Sequence, residues 1–168
     1  SGDGRGAKMR GRAAAQANSA PMTREKSIVL RLNQAIADFV VQLHRAGMSP
    51  ESARRLPEIL RLARYYETAT DAAAEAVSAG AEGEVNLPEA DDFRLAAQGL
   101  LDQCRAAAAQ TAAESLAAAR TAMEGSYQQL KARLLEAGAS EHLAVTTMDA
   151  HLRAASALHR ALEQVAKA

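Results

Sequence analysis

Two carboxylates offer this chain its most evident chemistry. Glu67 and Asp71 stand four residues apart in the run Glu67-Thr-Ala-Thr-Asp71. On a helix that spacing puts them about one turn apart on one face. Glu67 falls near the centre of an apolar stripe, where an unpaired carboxylate is very costly to bury. A metal ion, an arginine or a proton would satisfy it. Hard oxygen donors suit magnesium, manganese or iron, but such ions take about six ligands. Tight binding would need acids from another helix, and Glu89, Asp91 and Asp92 are the nearest in sequence. The other reading is an ion pair, either with Arg64 three residues before Glu67 or with a neighbour on another helix.

The remaining reactive side chains carry weaker signals. Four histidines, among them His142, His151 and His159, show no H-x-x-x-H spacing, and with one cysteine no C-x-x-C exists to make a zinc site. Cys104 follows Leu100 and Leu101 on an apolar side, which suits a small buried hydrophobe better than a nucleophile. Tyr65, Tyr66 and Tyr127 read as a recognition patch or as core, with Tyr66 at the edge of a stripe. Arg54, Arg55, Arg61 and Arg64 read as a solvated helix face or as a phosphate-sensing patch. No G-x-S-x-G, phosphate-binding glycine loop or Cys/His couple is present. The sequence reads as non-enzymatic.

The elements that position these residues are helical. Apolar residues make up 48% of 168 residues, yet aromatics only 3%, and alanine, the best helix former, supplies much of the difference. β-Branched and aromatic runs that would signal strands are missing. The expectation is an all-α antiparallel bundle of about four long helices. Pro21 and Thr23 mark a first start, followed by Val29, Leu32, Ile36, Phe39, Val40 and Leu43 on one face, with Gly47 as the stop. Ser49, Pro50 and Glu51 open a second helix, whose stripe is Leu56, Leu60, Ala63, Glu67, Thr70, Ala74 and Val77, with Pro57 expected to kink or restart it. A glycine- and acid-bearing connector follows, and Pro88 leads into a long helical region, 91–138, that Gly125 could break or bend and Gly138 ends. Ser140 is positioned to cap a last helix whose stripe is Leu143, Thr147, Ala150, Ala154, Leu158, Ala161 and Val165. The domain reading is a basic disordered leader, linker or tag remnant over 1–20, a helix pair over 21–80, an acidic linker over 81–90, and a second helical half over 91–168.

Net charge is zero, which leaves no nucleic-acid footprint, but residues 1–26 carry +4 and the remainder −4. One cysteine fits a reducing compartment. No run of about 18 apolar residues spans a bilayer, and no signal peptide is visible. The chain opens on Ser1 rather than methionine, which is compatible with a piece of something longer.

The stretches Leu30-Arg-Leu-Asn-Gln-Ala-Ile-Ala-Asp-Phe-Val-Val-Gln-Leu, Gly47-Met-Ser-Pro-Glu-Ser-Ala-Arg-Arg-Leu and Ile59-Leu-Arg-Leu-Ala-Arg-Tyr-Tyr-Glu-Thr-Ala-Thr-Asp71 resemble the PhoU-like helical domain. The version most similar is the one at the cytoplasmic C-terminus of bacterial sodium/phosphate symporters. The resemblance covers residues 27–80 and, more weakly, 110–168, where Glu163 is followed by Lys167 and the second E-x-x-x-D is absent. It implies a bundle of three-helix repeats and a regulatory role in phosphate uptake. It also implies an upstream membrane transporter domain, and carboxylates such as Glu67 and Asp71 that face outward to hold a metal cluster. The expected function is therefore a cytoplasmic regulatory and interaction domain at the inner face of the membrane. It would be a homo-oligomer through helices 91–138 or 23–46, with a protein partner or the transporter domain itself as its contact. The alternative is an alanine-rich signalling or scaffold module that dimerises as a coiled coil along an unbroken 91–138 rod.

Overall fold

The computed structural model describes residues 4–80, 85–108 and 113–168, with side chains described from residue 24 onward except 107, 108 and 113. The chain is all-α: α1 (Gly4–Ala46), α2 (Pro50–Ala79), α3 (Pro88–Ala108), α4 (Ala113–Ala139) and α5 (Val145–Val165). Part of the expected acidic linker, 81–84, lies outside the described residues.

Helices α3, α4 and α5 form a three-helix bundle around Phe93, Ala97 and Leu100, Met123, Tyr127, Leu130 and Leu134, and Ala155 and Leu162. Leu100 and Met123 are fully buried. The α3–α4 pair is antiparallel. Glu89 meets Arg133 at one end, and Leu101 and Cys104 share a cavity with Leu116 at the other. α2 lies against α5 through small residues: Ala69 and Ala72 on one side, Ala150, Ala157 and Ala161 on the other are all buried. Side chains this short let two backbones approach closely. α2 and α5 also run antiparallel, because Glu75 pairs with Arg160 while Tyr66 shares a cavity with Val165. α1 packs only against α2 among the described residues.

Several boundaries differ from expectation for identifiable reasons. The described residues form five helices rather than four, because the region 91–138 divides into α3 and α4, which fold back on each other; the rod required by the coiled-coil alternative is not formed. Helix α4 runs through Gly125, where no neighbour constrains the backbone. Residues 4–20 belong to α1 rather than to a separate arm, in keeping with the helix propensity of their alanines, and the helix passes the expected start at Pro21. Pro57 lies inside a continuous α2, at the loss of one intrahelical N–H donor. Ser140 terminates α4 by donating its hydroxyl to the Glu136 carbonyl instead of capping α5, whose N-cap is Ala144.

The start of α2 follows expectation closely. Ser49 Oγ accepts the Ser52 N–H at 3.1 Å, Pro50 occupies the first turn, and Gly47 turns the chain with φ of 84°. A left-handed φ of this size suits glycine.

Candidate interaction site

Glu67 and Asp71 are both engaged in ion pairs. Glu67 sits at 2.9 Å from Arg64 on its own helix, and Asp71 lies 2.6 Å from Lys26 of α1. Asp71 is thus one of the ties that set the register of α1 against α2. The three acids expected to complete a metal site lie elsewhere. Glu89 approaches Arg133, Asp91 bonds Arg94, and α3, which carries all three, makes no contact with α2. Among the described residues no group of three or more His, Cys, Asp or Glu converges.

A polar cluster that sequence reasoning missed joins α4 to α5. His159 Nε2 lies 2.6 Å from Glu124, and its ring stacks on Tyr127 with centroids 4.3 Å apart. The Tyr127 hydroxyl meets Ser156 Oγ at 2.9 Å, and Arg120 grips Glu163 with two nitrogens. The Gln128 amide and His159 hold the Glu124 carboxyl below the usual carboxylate range; Arg120 does the same to Glu163. The three pairs Arg120–Glu163, Glu124–His159 and Tyr127–Ser156 clasp α4 to α5 at successive turns. The 29- and 43-residue separations of these partners leave no local spacing by which to find them.

The other candidates are distributed as follows. Burial pushes the Cys104 thiol up, which keeps it protonated beside Leu101 and Leu116. His151 lines a groove of about 370 Å³ between α2 and α3, together with Val77, Phe93 and Leu158. Arg55 reaches Glu51 and Arg64 reaches Glu67, while Arg54 and Arg61 extend into solvent without a carboxylate partner among the described residues. Arg54, Arg61 and Arg64 fall within about 80° of one another around α2, and all four arginines are exposed. Tyr66, expected in the core, is 50% exposed.

The feature that stands out is apolar. No side chain described on α1 is buried, although Val29, Ile36, Val40 and Leu43 are half-covered by α2. Leu32 and Phe39, placed in the core stripe by periodicity, are 58% and 60% exposed, and Ile28, Ile59 and Leu60 are exposed as well. The apolar arc of α1 is wider than one neighbouring helix can cover.

Searches against family models, curated proteins and solved structures return no match to this chain. No described helix is long and apolar enough to cross a membrane.

Proposed function

We propose that this chain is a non-catalytic helical interaction domain that acts through the uncovered apolar face of α1 and α2. The setting is the one its PhoU-like motifs imply, regulation of sodium-coupled phosphate transport at the cytoplasmic side of the membrane. The observation that carries the reading is the exposure of Leu32 and Phe39 on a helix none of whose described side chains is buried. Contiguous exposed apolar surface of this kind marks interaction sites, because solvating it is unfavourable until a partner covers it. Either the transporter, another protein or a second copy of the chain would gain by burying it.

The test is phosphate uptake in cells whose native copy is replaced by Phe39→Glu, beside photo-crosslinking from a benzoylphenylalanine at position 39. A folded Phe39→Glu protein should alter the response of uptake to external phosphate, and the photoprobe should trap one discrete adduct. Unchanged uptake with no adduct would contradict the proposal.

A further inference from the structure

The molecule contains an approximate internal two-fold relation, and one of its positions has no occupant. α2 and α5 pack antiparallel through their alanines, and each is joined by a short turn to the antiparallel helix before it, α1 and α4 respectively. Exchanging α2 with α5 therefore exchanges α1 with α4. α3 covers the α4–α5 pair through Phe93, Ala97 and Leu100. Among the described residues nothing covers the α1–α2 pair in the equivalent place.

Ile28, Leu32, Phe39, Ile59 and Tyr66 fall on the face where that relation puts a third helix, whereas Leu30, Val41 and Leu60 are exposed on the other side of the pair. Along α1 the half-buried positions Val29, Ile36, Val40 and Leu43 mark the seam against α2. Ile28, Leu32 and Phe39 lie about 60–100° to one side of it, at about 100° per residue. Along α2 the seam passes through Leu56 and Ala63, and Ile59, Leu62 and Tyr66 lie at a similar offset of the same sense. In two antiparallel helices facing each other, offsets of the same sense project to one side of the pair. The two stripes form a single face. Further along α2 that stripe continues as Ala73 and Val77, which line the groove beside α3, so the face looks to the same side of the molecule as α3.

Charge narrows the choice of occupant. Residues 24–64 hold eight Lys and Arg against four Asp and Glu, a balance of +4. Arg24 and Arg31 border the α1 stripe without a carboxylate partner among the described residues, while Arg55, one turn before Ile59, is paired with Glu51. A second copy packed face to face would set one such surface against another, at a repulsive cost. α3, in contrast, holds four acids against two arginines along an amphipathic helix. Resting on the interaction reading above, we infer that the α1–α2 face receives an amphipathic helix of net negative charge, seated as α3 is seated on α4 and α5.

The probe is a fluorescent synthetic peptide of residues 88–108, the α3 sequence itself, titrated into the full chain and followed by anisotropy. Saturable binding is expected, about tenfold weaker with Phe39→Glu and several-fold weaker with Arg31→Glu or raised salt. Circular dichroism confirms that each variant is folded, as the exposure of both positions predicts. Absence of saturable binding overturns the inference. Binding indifferent to Phe39→Glu does so too, since it reports exchange with the resident α3. A concentration-dependent dimer in sedimentation that Phe39→Glu dissolves would assign the face to a second copy. Association with phosphatidylglycerol vesicles, in place of the peptide, would assign it to lipid. An effect of Phe39→Glu on phosphate uptake without peptide binding would leave the interaction reading standing and remove this one.

Discussion

At the scale of single residues, Glu67 and Asp71 decide between metal and ion pair. The Arg64–Glu67 and Lys26–Asp71 pairs already supply each carboxylate with a cation. Both pairs are solvent-exposed to a degree that limits their worth to roughly 0–1 kcal/mol each. Glu67→Gln and Asp71→Asn should therefore lower stability by about 1 kcal/mol at most. Thermal melts should be the same with and without a chelator. A stoichiometric metal retained through purification, or a melt that drops on chelation, would overturn the ion-pair account. The clasp between α4 and α5 gives a pH dependence of known sign. Glu124 and Glu163 have folded-state values lowered from the ordinary 4.5, Glu124 mainly by the Gln128 hydrogen bond and Glu163 mainly by the Arg120 hydrogen bond. A depressed carboxylate contributes stability that is present above its unfolded value and is lost as pH falls through the folded one. The melting temperature should therefore fall as pH drops below about 4.5, and Glu163→Gln should flatten that fall. Equal acid sensitivity in parent and variant would show that the clasp carries none of it.

At the scale of elements, the turn chemistry was the most legible part of the sequence. The Gly47-Met-Ser-Pro-Glu run specified a stop, a cap and a first turn, and all three are present. Ser49→Ala should cost about 1 kcal/mol by removing the acceptor for the Ser52 N–H. Gly47→Val should cost more, because a β-branched residue resists a left-handed φ. Two melts superimposable on the parent would refute this placement. The junction of α4 and α5 was less legible. Ser140 and Gly138 both lie where a helix could end, but only packing reveals that a Cβ at Gly138 would come 2.2 Å from Met148 Sδ. Gly138→Ala would push the flexible Met148 side chain aside and should gain less than its helix propensity alone would give, whereas Gly125→Ala meets open space and should stabilise by up to about 1 kcal/mol. The division of 91–138 into α3 and α4 was not legible. An alanine-rich stretch without glycine or proline continues the helical period, and the break becomes apparent only in the way Phe93 and Leu100 fold back onto Met123 and Leu130.

At the scale of the whole molecule, composition fixed the all-α class, and periodicity found one face of each helix. It could not say how many neighbours each helix has. The α2 stripe through Leu56, Ala63 and Glu67 is the side turned to α1, while the residues of α2 that are buried, Ala69 and Ala72, lie on the opposite side against α5. Alanines signal such a contact weakly, because they suit a helix anywhere. For the same reason Leu32 and Phe39 read as core, although the chain as described offers α1 only α2 to pack on. This asymmetry predicts uneven stability. A bundle around Leu100, Met123 and Leu134 should open only by global unfolding, whereas α1, none of whose described side chains is buried, should open locally at much lower cost. Native-state hydrogen exchange of the isolated chain measures the difference directly. Amides of α1 between residues 24 and 46 should exchange well before those of α3, α4 and α5, and should gain protection when the acidic α3 peptide is added. Protection of α1 equal to that of the three-helix bundle, without peptide and independent of protein concentration, would mean that its apolar face is already covered, and would contradict the account.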